Sequence, residues 1–108
     1  TNRFWFVELC PAFEMKVNRD NQSEIVSTAS GIYRYLYKGE IVYIGKGQIR
    51  QRLREAGRDD WNFDTIEFSL ISGEGKQYEW ETYWINKFRE ANNNAFPMYN
   101  LVGGRGLK

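Results

Sequence analysis

The 108-residue chain contains no histidine and a single cysteine, Cys10. A lone cysteine cannot form a disulfide within the chain, and without histidine the common Cys/His zinc sites cannot be assembled. The absence of histidine also removes the most frequent general base, which excludes Ser-His-Asp and Cys-His mechanisms. Any catalysis must therefore use Tyr, Lys, Arg, Asp or Glu, and Cys10 is interpreted as a structural thiol.

Long apolar runs and linkers are also missing. No stretch approaches the roughly 18 apolar residues that span a bilayer, and the apolar patch within residues 1–6 is too short for a signal peptide. We therefore expect a cytoplasmic protein that does not bind membranes. With two prolines and no repeat, but 42% hydrophobic and 17% aromatic residues, the composition predicts one folded domain.

The net charge of +1 hides a separation of charge along the chain. Residues 31–58 carry a net charge of +5, and residues 59–90 carry −5. A local basic patch of this size is typical of proteins that bind phosphates. Pairing between a basic and an acidic helix on an ordinary surface is the alternative interpretation.

The middle of the chain is predicted to form a β-hairpin followed by a short helix. Residues 32–37 and 41–44 are rich in Ile, Val and Tyr, and residues 38–40 between them are typical of a turn. The glycines of residues 45–47 are expected to end the second strand. Apolar residues at helical spacing predict a helix over residues 48–56.

The second half of the chain is predicted to contain a strand over residues 63–71 and a helix over residues 74–91. Residues 98–102 are expected to be extended, residues 18–23 to form a polar loop, and residues 4–9 are β-prone. The order β-β-α-β-α predicts an α/β fold of the α+β sandwich type, in which helices flank a small, mainly antiparallel sheet of three strands.

One carboxylate falls where an apolar residue is expected. Glu81 projects into the apolar arc of the second helix, which is made up of Tyr78, Trp80, Trp84, Ile85 and Phe88. Burying an unpaired carboxylate costs several kcal/mol, so Glu81 requires a cation, hydrogen-bond donors or a cleft. The two interpretations are a salt bridge with an arginine of the preceding helix and a metal-binding or catalytic carboxylate.

Tyrosines recur on the hairpin. Tyr33, Tyr35 and Tyr37 alternate and therefore share one face of their strand, and Tyr43 lies on the partner strand. Such residues are most often part of ordinary sheet packing. Beside arginines, however, their hydroxyls could contact phosphate or a water nucleophile, and their rings could stack on bases.

Five ordered elements resemble the GIY-YIG nuclease family. Gly31-Ile32-Tyr33 and Tyr43-Ile44-Gly45 are similar to the two triplets that name the family, and Ile49-Arg50-Gln51-Arg52-Leu53 is similar to its first-helix segment. Glu81-Thr82-Tyr83-Trp84-Ile85 and Tyr99-Asn100-Leu101 resemble its metal-binding helix and its terminal element. The resemblance covers residues 31–102, which it implies are the nuclease core, with residues 1–30 as an N-terminal extension and residues 103–108 as a tail.

The resemblance implies a metal-dependent endonuclease that hydrolyses DNA. Glu81 would hold one Mg²⁺ or Mn²⁺ ion, Tyr33 would accept a proton from the attacking water, and Tyr43 would position water or phosphate. Arg52 would stabilise the transition state, with Arg50 as an alternative because the spacing from Tyr43 is one residue short. Asn100 would buttress the site by hydrogen bonding.

The remaining predicted site residues are basic residues and glycines. Lys46, Arg50, Arg54 and Arg58 are candidates for contacts with the DNA backbone. Gly31 and Gly45 are expected to allow close approach of backbone and substrate at the strand ends.

Residues 1–30 have no counterpart in the family core, and two other functions are alternatives to the nuclease. The extension of residues 1–30 is expected to complete the sheet, to contact DNA or to form a homodimer through Phe4, Trp5 and Phe6. A catalytically silent nucleic-acid-binding module, with tyrosines stacking on bases, is the alternative function. A nuclease of the PD-(D/E)xK type, using Asp64 and Glu74-Gly75-Lys76, is a further alternative.

Overall fold

A computed structural model of the chain describes residues 13–100. They form an α+β fold built on one four-stranded antiparallel sheet. The strands are β1 (Met15–Asn18), β2 (Ser30–Tyr37), β3 (Glu40–Gln48) and β4 (Thr65–Leu70). The helices are α1 (Ile49–Leu53) and α2 (Glu74–Ala91), and short 3₁₀ helices lie at Arg19–Glu24, Arg58–Asp60 and Met98–Asn100.

The described sheet has four strands, in the order β1-β4-β2-β3, where the sequence predicted three. The additional strand is β1, which pairs with β4 through Met15 opposite Phe68 and Val17 opposite Ile66. Four residues give too short an alternation for a strand to be identified from the sequence. Of the three roles considered for residues 1–30, completion of the sheet is therefore confirmed for Met15–Asn18.

The predicted hairpin is confirmed, but its second strand is longer than expected. β3 continues through the glycines to Gln48, because Gly45 pairs with Tyr33 and Gly47 pairs with Gly31. The predicted stop at residues 45–47 was therefore wrong. Glycines in a strand mark close approach here rather than an end.

The two faces of the sheet are covered by different elements. On one face, Tyr33, Tyr35 and Phe68 belong to a buried core that includes Ile49 and Leu53 of α1. On the other, α2 packs against β3 and β2. Residues whose side chains reach the end of the sheet between α1 and α2 can therefore meet.

The bounds predicted for α2 are confirmed at Glu74 and Ala91, and the helix is followed by Asn93 and Asn94 at φ of 56° and 71°. The expected burial of Glu81 is also confirmed, since its exposed fraction is 7%. Tyr78 was expected on the buried arc but is 61% exposed, because the buried face of these turns is formed by Gln77, Trp80 and Glu81 and Tyr78 lies outside it.

Other boundaries differ from the prediction. The short helix ends at Leu53, and the predicted strand 63–71 is confined to Thr65–Leu70. The polar loop contains the 3₁₀ helix Arg19–Glu24, and Met98–Asn100 forms a 3₁₀ turn where extended chain was expected. Cys10, the stretch 4–9 and residues 101–108 lie outside the described residues. Within residues 13–100, no helix is long and apolar enough to cross a bilayer.

Candidate active site

Three tyrosines of the hairpin lie side by side beneath α1. Tyr33 and Tyr35 on β2 and Tyr43 on β3 are each at most 2% exposed. Their ring centroids are 5.3 Å (Tyr33 to Tyr35), 5.5 Å (Tyr35 to Tyr43) and 6.0 Å (Tyr33 to Tyr43) apart. The shared face predicted from alternation is confirmed for Tyr33 and Tyr35, whereas Tyr37 at the strand end is 39% exposed.

Gly45 is required by the packing of these rings. A Cβ atom at Gly45 would lie 2.6 Å from the Tyr33 hydroxyl and 2.7 Å from Cε2 of Tyr43. At Gly31, a Cβ atom would overlap the backbone oxygen of Ser69 on β4. The close backbone approach expected at both glycines is present, and it is with the rings of Tyr33 and Tyr43 at Gly45 and with the β4 backbone at Gly31.

The hydroxyls of the three tyrosines converge on Arg58. Its Nη1 donates hydrogen bonds to the hydroxyls of Tyr33 (2.9 Å) and Tyr35 (3.0 Å), and its Nη2 donates to the hydroxyl of Tyr43 (3.1 Å). Nη2 also lies 3.2 Å from Oε1 of Glu55. Arg58 was predicted to contact the DNA backbone, but it is 5% exposed and its guanidinium is engaged inside the protein.

Arg52 lies beside this cluster at the solvent-facing side. Its Nε donates a hydrogen bond to the backbone oxygen of Lys46 (3.2 Å), and its Nη1 forms an ion pair with Oε2 of Glu55 (2.5 Å). Gly47 permits this position, because its φ is 117° and a Cβ atom there would lie 2.7 Å from Nε of Arg52. The side chain of Arg52 remains 41% exposed and can therefore reach a ligand.

A cleft of about 250 Å³ joins these groups to Glu81 of α2. We call it the tyrosine cleft, and its lining residues are Tyr33, Tyr43, Lys46, Arg52, Glu55, Arg58 and Glu81. Tyr33, Tyr43, Arg52 and Glu81 come from β2, β3, α1 and α2, so four of the five predicted catalytic residues share one concave surface. Three cations and two carboxylates give the cleft a net positive charge.

Asn100, the fifth predicted catalytic residue, does not line the cleft. Its Oδ1 accepts a hydrogen bond from the backbone N–H of Ile44 (3.0 Å), and its Nδ2 donates to the Ile44 oxygen (2.9 Å). Asn100 is 5% exposed and pairs with the outer edge of β3 as a neighbouring strand would. This agrees with the buttressing role that was expected.

The four predicted DNA contacts occupy different environments. Lys46 lines the cleft, and Arg54 is exposed at the end of α1. Arg50 donates a hydrogen bond from Nη1 to the backbone oxygen of Ile25 (3.2 Å), so it holds the loop before β2 and does not line the tyrosine cleft. Of the two arginines considered for the catalytic role, Arg52 is the one that lines the cleft.

Burial raises the pKa of two of these tyrosines, Tyr33 and Tyr35. Burial above all, with the neighbouring phenols of Tyr35 and Tyr43, raises the pKa of Tyr33 well above its ordinary value, and Arg58 opposes this shift without overcoming it. Burial likewise raises the pKa of Tyr35 to about 12. For Arg58, burial acts to lower the pKa, but the tyrosine oxygens outweigh it and the pKa is raised.

Hydrogen bonding to Glu55 is the main cause of the raised pKa of Arg52. Glu55 thus contacts both cationic side chains that flank the tyrosines. The sequence interpretation missed Glu55, although its spacing of three residues from Arg52 and from Arg58 was available as a signal. It also missed Arg19, whose role depends on contacts across the fold.

A second groove, of about 400 Å³, lies between the hairpin and α2 and includes Ile44, Trp84 and Phe88 among its lining residues. None of the predicted catalytic residues lines it.

No protein-family model matches the chain, and no curated protein or solved structure matches it either.

Proposed function

We propose that the chain is a GIY-YIG nuclease, a metal-dependent endonuclease that hydrolyses phosphodiester bonds in DNA. The observation that carries the proposal is the shared cleft, in which Tyr33, Tyr43, Arg52 and Glu81 meet although they are spread over about half the chain. The motifs that carry these residues lie far apart in the sequence, whereas the four side chains line one cavity.

A divalent cation fits the donors of the tyrosine cleft. Within residues 13–100 no group of three or more His, Cys, Asp or Glu side chains could hold an ion. Mg²⁺ and Mn²⁺ do not need one, since they bind through one or two carboxylates and take their other ligands from water and substrate phosphate. Glu81 would hold the ion, because it is the carboxylate that α2 contributes to the lining of the cleft. When bound, the ion supplies positive charge at the scissile phosphate.

Arg52 is proposed to bind the phosphate on which charge develops. Its guanidinium is fixed on one side by Glu55 and by the Lys46 backbone, and it is still 41% exposed. A guanidinium held in place before substrate arrives stabilises the transition state without having to reorganise. Lys46 adds a second positive charge at the cleft, and Arg54 adds one outside it, where backbone contacts confer affinity without sequence choice.

Tyr33 is proposed to act from the floor of the cleft. Tyr33 is buried but is one of the lining residues of the cleft, and its hydroxyl is the group proposed to act there. The cavity of about 250 Å³ has room for several water molecules at roughly 30 Å³ each. Because the pKa of Tyr33 is raised, the phenol is neutral at neutral pH, and it accepts a proton from water only after losing its own. Cleavage is therefore expected to rise with pH.

The two alternatives are less well supported. Base stacking by a silent binding module needs exposed rings, whereas Tyr33, Tyr35 and Tyr43 are at most 2% exposed. The PD-(D/E)xK arrangement needs Asp64 and Glu74 at one site, but they flank β4 at its opposite ends.

The test is nicking of supercoiled plasmid in the presence of Mg²⁺ or Mn²⁺. We expect metal-dependent nicking by the native chain and a loss of at least about 100-fold in Glu81→Gln, which keeps the shape of the side chain but removes its charge. Glu79→Gln is the matched control, since Glu79 is exposed on the same helix and its side chain lies 3.8 Å from Lys76. Circular dichroism would verify that both variants are folded.

Equal nicking by the native chain and Glu81→Gln would show that Glu81 is not the metal ligand. If the folded native chain with either metal neither nicked supercoiled plasmid nor cut plasmid that was already nicked, the nuclease proposal would be rejected. DNA binding without cleavage would then favour the silent module.

A further inference from the structure

We propose that Arg58 is a positioning residue of the tyrosine cleft, which orients the hydroxyls of Tyr33 and Tyr43. We also propose that Arg19, directly after the edge strand β1, holds Arg58 in place. This inference deepens the proposed function and rests on it. No part of the sequence resemblance assigns a role to either arginine beyond the expected backbone contact of Arg58.

The geometry at Arg58 is that of one donor shared among three acceptors. The hydrogen bonds to the hydroxyls of Tyr33, Tyr35 and Tyr43 are 2.9, 3.0 and 3.1 Å long. The guanidinium carbon also lies 4.8 Å from the ring centroid of Tyr43 and 5.0 Å from that of Trp61. A buried guanidinium bounded by hydroxyls and ring faces has little freedom to move.

These hydrogen bonds have a fixed direction. A guanidinium has donors and no acceptor, so each tyrosine oxygen must accept the bond from Arg58. The O–H proton of each phenol must then be donated to a different acceptor. For Tyr33 the oxygen of Tyr35 is one such acceptor, and Tyr33 and Tyr43 both line the cleft. The positive charge of Arg58 also lowers the pKa of Tyr33 relative to the value it would have beside a neutral residue.

Arg58 begins the 3₁₀ helix Arg58–Asp60, and Arg19 holds this helix and the residues that follow it. Nη1 of Arg19 donates hydrogen bonds to the backbone oxygens of Trp61 (2.7 Å) and Phe63 (3.2 Å). Its Nη2 donates to the oxygens of Arg58 and Asp59, both at 3.3 Å. The Arg19 guanidinium also lies 3.8 Å from the ring centroid of Phe63, which stacks on Tyr35 at 4.1 Å.

Arg19 therefore connects the end of β1 to the cluster through backbone and ring contacts, without lining the cleft itself. Removing it should loosen the loop 58–63 while leaving every cleft side chain present. Removing the Arg58 guanidinium should remove the shared donor outright. Both substitutions are therefore expected to slow cleavage, and the loss of the Arg58 guanidinium should slow it more.

The experiment compares Arg58→Gln, Arg58→Lys and Arg19→Gln with the native chain, each checked for folding by circular dichroism. Cleavage is measured at saturating DNA over a range of pH, and DNA affinity is measured separately without metal. Arg89→Gln is the control, since Arg89 bonds the Asn94 backbone at the far end of α2 and lines no part of the cleft.

We expect Arg58→Gln to lower the cleavage rate constant by roughly 100-fold, the loss expected when reacting groups are misplaced by about 1 Å. DNA affinity should change by less than about threefold, because Arg58 is buried. The rise of activity with pH should shift to higher pH in Arg58→Gln. Arg58→Lys should recover part of the rate, since it restores the charge but not the fork of donors. Arg19→Gln should lose roughly 10-fold.

If folded Arg58→Gln had the cleavage rate and pH profile of the native chain, the inference would be overturned. A loss of DNA affinity as large as the loss of rate would also overturn it, because that result indicates a contact with phosphate. If Arg58→Gln does not fold, an unchanged rate in folded Arg58→Lys and Arg19→Gln would overturn it equally.

A readout without cleavage separates this inference from the nuclease proposal. The ultraviolet absorbance of tyrosinate reports the ionisation of the buried tyrosines in a protein that cuts nothing. Folded Arg58→Lys should ionise as the native chain does, and Arg58→Gln at higher pH or only on unfolding. Identical titrations of Arg58→Gln and the native chain would overturn the role of Arg58, whatever the outcome of the nicking assay.

Discussion

The side-chain amide of Asn100 forms two hydrogen bonds with the backbone of Ile44, which lies 56 positions earlier in the chain. Ile44 stands between Tyr43 and Gly45, so this pairing holds the part of β3 that carries the cleft. It also satisfies a backbone N–H and a C=O on the outer edge of the strand, where a further strand would otherwise be required.

We expect Asn100→Ala to destabilise the fold by roughly 2 kcal/mol or more, because it leaves two buried backbone groups unpaired at about 1–3 kcal/mol each. Urea unfolding followed by fluorescence would measure this loss. Asn92→Ala is the comparison, since Asn92 also bonds a backbone oxygen, that of Phe88, but is exposed. An equal effect in the two variants would contradict the role of Asn100 as a buried clamp.

Gly45→Ala should disrupt the cleft by steric overlap. The added methyl group would lie 2.6 Å from the Tyr33 hydroxyl, and the fully buried ring cannot move aside without displacing its neighbours. We expect a loss of about 1–3 kcal/mol, the usual cost of overpacking a core, and a loss of cleavage.

Gly75→Ala provides the matched control for Gly45→Ala. A methyl group at Gly75 would meet nothing within 4 Å, and alanine stabilises a helix by up to about 1 kcal/mol relative to glycine. Thermal melting of the two variants should therefore shift in opposite directions. A melting temperature of Gly45→Ala at or above the native value would show that the rings can rearrange.

The hairpin and the long helix could be predicted from the sequence, because the spacing of their apolar residues determines them. The alternation in the hairpin and the helical spacing around Glu81 gave β2, β3 and α2, and the glycine at position 45 marked a close approach. The burial of Glu81 followed from its position on the apolar arc.

The contacts of Arg58 could not be predicted in this way. Its nearest hydroxyl partner along the chain, that of Tyr43, is 15 positions away, and the loop conformation that brings it inward depends on Arg19, about 40 positions earlier. In the sequence, Arg58 is one of seven basic residues in a basic segment. The role of Arg58 depends on its burial rather than on its charge. The burial of this short segment depends on contacts with distant parts of the chain, which a local pattern does not reveal.

Stability should fall at alkaline pH as the buried tyrosines are forced to ionise. The folded-state pKa of Tyr35 is about 12 and that of Tyr33 is also raised, whereas unfolded tyrosine ionises near pH 10. Below about pH 10 both states hold the proton and the stabilisation is complete. Between about pH 10 and 12 the unfolded state loses its proton first, so Tyr35 alone should cost about 2–3 kcal/mol over this window.

Urea unfolding at successive pH values above 8 would measure this alkaline loss. Tyr35→Phe should flatten the decline, because it removes one ionising group while keeping the ring stacked on Phe63. Tyr78→Phe is the control, since Tyr78 is 61% exposed and its removal should leave the slope unchanged. A native chain whose stability stays constant to pH 12 would contradict the burial of these hydroxyls.

DNA binding by the exposed basic side chains should depend on salt. Arg54 is exposed beside the cleft, so Arg54→Gln is expected to weaken binding to all sequences alike and to reduce the slope of log K against log salt concentration by about one. Lys87→Gln is the matched control, because Lys87 is exposed but lines the groove between the hairpin and α2, away from the tyrosine cleft. Fluorescence anisotropy with a labelled duplex at several salt concentrations would give both slopes. Since Arg54 does not line the cleft, the cleavage rate of Arg54→Gln at saturating DNA should stay within about threefold of the native value. If Lys87→Gln reduced the salt slope more than Arg54→Gln does, the DNA would bind on the opposite face of the sheet.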